Sequence, residues 1–145
     1  LVEGGSTLKT YRVSTAGNGP GELQDSGCTP RGRHAVAAKI GQGCEPGTVF
    51  VGRKPTGETY SPALREAGPA RDWILTRILR LEGLEEGVNR GGGVDTYARL
   101  IYIHGAPDET PLGIPGSLGC IRMRNQDVIE LFDSVEEGTL VEIEE

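Results

Sequence analysis

Glycine and proline interrupt this chain so often that long helices have little room in it. The 145 residues include 23 glycines and nine prolines, with no collagen-like period, whereas glycine alone usually makes up about 7% of a protein. Both residues break helices and favour turns. The composition therefore excludes a helix bundle and predicts one domain, over residues 1–145, of short strands joined by many turns.

Alternating apolar residues predict where the strands lie. The predicted strands are 8–13, 33–40, 48–51, 73–81, 99–104 and 139–143. Segment 73–81 could also be helical, but its two partly apolar faces favour a strand that is buried on both sides. Apolar residues at helical spacing predict one helix over 126–135, with Asn125 as its N-cap. The expected fold class is mostly β with one late helix.

The charge balance argues against a nucleic-acid partner. The chain carries 15 basic and 21 acidic residues, a net charge of −6, and its densest basic motif is only Arg31-Gly32-Arg33. No apolar run approaches the roughly 20 residues that a membrane span needs. No signal-peptide pattern opens the chain, but residue 1 is Leu rather than Met, so this says nothing about the compartment.

Neither a metal nor an organic cofactor is expected. The chain has no C-x-x-C or H-x-x-x-H pair, the spacings that indicate a zinc site. The glycines at 17, 19 and 21 follow G-x-G-x-G, without the helix and acidic residue of a dinucleotide-binding loop. The three cysteines, Cys28, Cys44 and Cys120, are too few for a disulfide scaffold and odd in number. A free thiol is therefore the candidate for chemistry.

Cys120 and His104 form the candidate reactive pair. His104 ends an alternating strand, which puts it on the same face as Tyr102. Cys120 follows Gly119, which tolerates the backbone angles of a tight turn. An imidazole can take the proton of a thiol, and backbone N–H groups near Gly119 can face an oxyanion. The same residues are also compatible with a buried structural cysteine and a structural histidine.

Two segments resemble the catalytic motif of the YkuD-type L,D-transpeptidases. Ile103-His104-Gly105 is similar to its His-Gly part, and Ser117-Leu118-Gly119-Cys120-Ile121-Arg122-Met123 to its Ser-His-Gly-Cys-Ile-Arg-Met part. Upstream, Thr29-Pro30-Arg31-Gly32-Arg33-His34 resembles the Thr-Pro-x-Gly-x-aromatic signature of the family. Residues 125–131 look like the helix that follows the family's nucleophile. The resemblance covers roughly residues 11–143.

The resemblance implies a mostly β, sandwich-like fold with the helix beside a catalytic cleft. It implies that Cys120 is the nucleophile, that His104 is the general base and that Ser117 helps to orient the imidazole. It departs from the family at Leu118, where a second histidine is usual. His34, at an aromatic position of the signature, is expected to be a packed side chain.

Further roles follow from the same resemblance. Gly119 and Cys120 would supply oxyanion N–H groups. Tyr102 and Gly105 would belong to the oxyanion or substrate-binding surroundings. Arg122 would position the nucleophile loop or a substrate carboxylate, or else form a structural salt bridge.

The implied activity is on peptidoglycan stem peptides. The thiol would attack the bond between the third residue and D-alanine of a tetrapeptide stem, and an amine of another stem would resolve the thioester into a 3→3 crosslink. Two alternatives keep the thioester but resolve it with water (an L,D-carboxypeptidase) or with a free D-amino acid. A third is a non-catalytic wall-binding module. The resemblance also implies that carbapenem-type compounds inhibit the domain. We expect a monomer, located in the cell envelope (periplasm or wall).

Two features stay open at this point. In an oxidising envelope, Cys28 and Cys44 would either form a disulfide or remain free. Segment 52–69, which has three prolines and three glycines, is either a lid over the cleft or a surface loop.

Overall fold

The computed structural model describes residues 1–145, and most of its strands belong to one eight-stranded sheet. The strands are β1 (Val2–Glu3), β2 (Ser6–Thr7), β3 (Val13–Ser14), β4 (Gly32–Ile40), β5 (Thr48–Val51), β6 (Lys54–Thr59), β7 (Ile74–Gly83), β8 (Tyr102–Gly105), β9 (Ile121–Met123) and β10 (Leu140–Ile143). The helices are α1 (Pro62–Ala67) and α2 (Asn125–Ser134), with a 3₁₀ turn at Gly92–Val94. The predicted mostly β fold class is confirmed.

The sheet is centred on β7, which is buried along most of its length. Its main path runs β10-β4-β7-β8-β9-β3, and β5 joins β7 while pairing with β6. β8 and β9 pair in parallel, with Ile103 opposite Ile121 and His104 opposite Arg122. Parallel neighbours need a crossover of a dozen or more residues. Here that crossover is the irregular segment 106–120.

Apolar side chains cover both faces of β7, as the sequence predicts. Leu79 and Leu81 belong to a ten-residue core cluster, to which α2 contributes Val128 and Phe132. On the opposite face, Ile78 packs in a smaller cluster with Phe50 and Tyr102, and further apolar contacts surround Trp73. One large and two small apolar clusters therefore pack against the central strand, the large one lying under α2.

Five predicted strands are confirmed with shifts at their ends, and the strand predicted at 8–13 is not. The segment predicted as strand 8–13 is strand only from Val13, because Leu8 is 57% exposed and its alternation does not follow a buried face. β8 begins at Tyr102 rather than at residue 99. Leu100 adopts a left-handed conformation (φ 60°) in the turn before it.

The predicted late helix is confirmed, and segment 52–69 holds a second, short helix that the sequence analysis did not predict. This segment contains β6 and helix α1. Ser61 caps α1 by accepting a hydrogen bond from the Leu64 N–H, and Pro62 occupies the first turn. The late helix starts one residue before its predicted first residue, so Arg124 and not Asn125 holds the cap position.

The structure also shows the state of the cysteines and of His34. All three cysteines are free, so Cys28 and Cys44 form no disulfide. His34 is fully buried, as predicted, with its ring bonded to the Gly32 carbonyl and the Thr96 hydroxyl. No helix in the structure combines the length and apolar character needed to cross a membrane.

We expect Gly83→Ala to destabilise the fold. A methyl group at Gly83 would overlap the backbone carbonyl and the side-chain oxygen of Asn89, and Asn89 is itself buried and bonded to the Arg31 and Arg33 carbonyls. Overpacking of this kind costs about 1–3 kcal/mol. The matched control is Gly93→Ala, which meets no atom within 4 Å. Equal denaturant midpoints for the two variants would contradict the close approach.

Candidate active site

The parallel pairing of β8 and β9 brings Cys120 and His104 to one cavity. His104 lies in β8, and Cys120 ends the crossover just before β9. Both line a cavity of about 240 Å³, together with Tyr102, Ser117 and Arg122. Of the residues singled out from the sequence, Gly105 and Gly119 are the two that do not line it.

The His104 ring is held in one orientation. Its Nδ1 lies 2.6 Å from the Gly105 carbonyl oxygen. Because a carbonyl only accepts hydrogen bonds, Nδ1 carries the proton and Nε2 keeps a free lone pair. Burial lowers the pKa of His104. The ring is therefore neutral near pH 7 and can accept a proton at Nε2.

Gly105 binds the His104 ring through its carbonyl and does not form part of the cavity wall. A side chain there would overlap the Asn125 side-chain oxygen and would lie 2.7 Å from the Leu75 carbonyl. The close approach explains why the residue after His104 is a glycine. In the structure, Gly105 contributes the carbonyl that binds His104 Nδ1.

The Cys120 thiol rests against backbone groups. The Tyr102 N–H donates to Sγ at 3.3 Å, and the thiol donates to the Leu100 carbonyl at 3.5 Å. The His104 ring is not among its hydrogen-bond partners. Burial raises the pKa of Cys120 to about 11, outweighing the nearby Arg122 and Arg99 charges, which lower it. The resting thiol is therefore protonated at neutral pH.

The turn before Cys120 requires a glycine and is closed by the Ser117 side chain. Gly119 has a φ of +124°, and a Cβ there would lie 3.0 Å from the Ile101 side chain and 3.1 Å from the Cys28 carbonyl. The Ser117 hydroxyl donates to the Cys120 carbonyl and accepts the Gly119 N–H at 3.2 Å. Ser117 thus closes the turn and makes no hydrogen bond to the imidazole.

This arrangement leaves only one of the two expected oxyanion donors, the Gly119 and Cys120 N–H groups, without a hydrogen bond. The Gly119 N–H is occupied by Ser117. The Cys120 N–H makes no hydrogen bond within the protein. Only the Cys120 N–H is therefore available to a charge that develops next to the thiol.

Arg122 and Leu118 shape the rim of the cavity. The Arg122 guanidinium donates to the Gly116 carbonyl at 3.1 Å and lies 3.7 Å from the Asp72 carboxylate. It therefore ties the crossover to β9 and also forms a salt bridge. Leu118 is 74% exposed and adds apolar surface with no acid or base.

The sequence analysis missed two charged residues of the cavity. Arg53 lies in the turn between β5 and β6 and donates to the Tyr102 hydroxyl at 2.9 Å. Asp72 also lines the cavity, where it pairs with Arg122. The Gly52-Arg53 pair does signal a turn, but no local pattern shows that this turn lines the same cavity as Cys120. No group of three or more His, Cys, Asp or Glu side chains is placed to hold a metal ion.

Comparison with known families agrees with this geometry. The family model of YkuD, the L,D-transpeptidase catalytic domain, matches residues 1–143. The chain belongs to the YkuD family. Among curated proteins, the probable L,D-transpeptidase ErfK/SrfK of Salmonella typhimurium is 49% identical over 91 residues, which are 54% of this chain and 29% of that protein. This YkuD chain therefore spans less than a third of that relative's length.

Solved structures share the fold at low sequence identity. L,D-transpeptidase 3 from Mycobacterium tuberculosis superposes with a TM-score of 0.52 at 19% identity, over 93% of this chain and 44% of that one. LD transpeptidase LdtMt1 in complex with imipenem gives 0.52 at 20% identity, over 97% and 50%. The Mycobacterium tuberculosis enzyme is also known with a faropenem-derived adduct. These likenesses support the YkuD fold.

We expect the thiol of this YkuD domain to alkylate slowly at neutral pH. In a Cys28→Ala/Cys44→Ala background, the rate of reaction with iodoacetamide should rise about tenfold per pH unit from pH 7 to 10, because the thiolate reacts and burial raises the pKa of Cys120 to about 11. The unfolded chain, with an ordinary thiol pKa of about 8.5, is the control. A folded-state plateau below pH 8.5 would show a resting thiolate instead.

Proposed function

We propose that this domain is a cysteine-dependent L,D-transpeptidase that acts on peptidoglycan stem tetrapeptides through a thioester. The observation that carries the proposal is the shared cavity of Cys120 and His104, two residues that offer an unbonded imidazole Nε2 and an unbonded Cys120 N–H. Membership in the YkuD family supplies the class of reaction.

Acylation begins when the Cys120 sulfur attacks the carbonyl between the third stem residue and D-alanine. His104 Nε2 takes the thiol proton during this attack, since both groups are neutral at rest. The Cys120 N–H stabilises the oxyanion. The protonated imidazole then gives the proton to the leaving amine, D-alanine departs, and the stem remains on sulfur as a thioester.

The second half-reaction transfers the stem to an acceptor. The amine of another stem attacks the thioester, His104 again removes a proton, and a 3→3 crosslink forms as the thiol is restored. Arg53 and Arg122 outnumber Asp72 among the charged residues of the cavity, and the resulting net positive charge suits stem carboxylates. The substrate puts the enzyme in the cell envelope, periplasm or wall.

Carbapenem-type β-lactams should mimic the stem in the first half-reaction, as the imipenem complex and the faropenem-derived adduct of related folds suggest. We expect one imipenem adduct on Cys120 by intact-protein and peptide mass spectrometry. Cys120→Ala should abolish the adduct and lower turnover by about 10⁴-fold or more. The control Cys44→Ala lies outside the cavity and should form the adduct normally. An unmodified Cys120 would favour a wall-binding module.

The products identify the acceptor. Purified disaccharide tetrapeptide should yield crosslinked dimers with loss of one D-alanine, detected by mass spectrometry, because an amine outcompetes water for the thioester. Tripeptide monomers alone would show an L,D-carboxypeptidase. Incorporation of an added D-amino acid, without dimers, would show exchange. Either of these results would contradict transpeptidation while keeping the thioester.

A further inference from the structure

Thr29 is a buried polar residue that the mechanism leaves without a role. It is 3% exposed. Its Oγ1 donates to the Gly119 carbonyl at 3.0 Å and accepts the Ala16 N–H at 2.9 Å. The Ala16 N–H can only donate and the Gly119 carbonyl can only accept, so the single hydroxyl proton of Thr29 points to Gly119.

The Gly119 carbonyl and the Cys120 N–H belong to the same peptide plane. In a trans peptide these two groups point in opposite directions, and the chain has no cis peptide bond. Holding the carbonyl on the buried side therefore turns the N–H toward the side where Cys120 meets the cavity. Gly119 has no Cβ to resist rotation of this plane, so an outside bond is needed to fix it.

The glycine-rich loop holds Thr29 in place. The Thr29 N–H donates to the Gly19 carbonyl at 3.1 Å, and its carbonyl accepts the Gly21 N–H at 2.9 Å. Next to it, the Arg99 guanidinium donates to the Cys28 carbonyl at 2.7 Å. The glycines of the G-x-G-x-G segment and the Thr of the Thr-Pro-x-Gly signature thus meet behind the nucleophile.

We propose that Thr29 is a positioning residue that orients the Gly119–Cys120 peptide so that the Cys120 N–H stabilises the oxyanion of acyl transfer. The proposal rests on the proposed function. In this role, Thr29 acts through the Gly119–Cys120 peptide and not through contact with substrate. It therefore predicts an effect on reactions that build an oxyanion and no effect on reactions of the thiol that do not.

Two reactions of Cys120 separate these cases in the Cys28→Ala/Cys44→Ala background. With imipenem, sulfur bonds to the β-lactam carbonyl, the C–N bond breaks through an oxyanion intermediate, and the thiol proton passes to nitrogen. With iodoacetamide, sulfur bonds to a saturated carbon, iodide leaves, the proton goes to solvent, and no oxyanion forms. The ratio of the two rates reports the oxyanion donor alone.

We expect Thr29→Val to slow acylation about 10-fold to 100-fold, less than the 10²–10³ typical of losing a donor outright, with alkylation changed less than twofold. Thr29→Ser should recover most of the acylation rate, because it keeps the hydroxyl. Thr96→Val is the matched control, since it removes another buried hydroxyl, one bonded to His34, and should leave the ratio unchanged.

Equal slowing of both reactions by Thr29→Val would assign Thr29 a purely structural role and overturn the proposal, as would no slowing of either. If Thr29→Val does not fold, the same ratio of acylation rate to alkylation rate is measured for Thr29→Ala. Failure of the parent protein to acylate at all, with alkylation intact, would instead overturn the proposed function.

Discussion

The parallel pairing of β8 with β9 is the constraint on which the site depends. Placing His104 opposite Arg122 obliges the chain to leave β8 at Gly105 and return beside the start of the same strand. The residue that precedes β9 is then next to Tyr102, whose N–H reaches the Cys120 sulfur. The ladder thus brings residues 104 and 120 to one cavity, although the crossover between them is irregular.

Backbone strain is concentrated around this cavity. Four non-glycine residues have positive φ, of which Arg53 and Leu100 line the cavity and Thr76 lies against Gly105. Such conformations cost about 1–3 kcal/mol each. The Thr76 hydroxyl offsets part of that cost by donating to the Asn125 side chain and accepting the Gly47 N–H. The pairing of β7 with β8 shifts its register at this point, between Leu75 and Ile78.

The sequence predicted what depends on periodicity and on motif. β7 was predicted because apolar side chains lie on both of its faces, and Cys120 and His104 were selected as candidates because Cys120 lies in a specific motif. The predicted strand at 8–13 failed since alternation cannot distinguish a buried face from an exposed one, and Leu8 is exposed. The capping signal of Ser61 and Pro62 was present in the sequence, and α1 was still missed. The partner of Ser117 could not be predicted, because a hydroxyl two residues from Gly119 can turn either to the ring or to the turn itself.

In the proposed thioester mechanism, the neutral resting state of Cys120 and His104 explains why the Gly119–Cys120 peptide matters. Burial raises the pKa of Cys120 and lowers that of His104, so both effects disfavour a thiolate–imidazolium pair. The thiol therefore gains little reactivity before substrate arrives, and negative charge first develops during attack, on sulfur and on the carbonyl oxygen together. A fixed N–H costs no reorganisation at that moment. A well-held Gly119–Cys120 peptide is thus worth more here than in an enzyme whose thiolate is already formed.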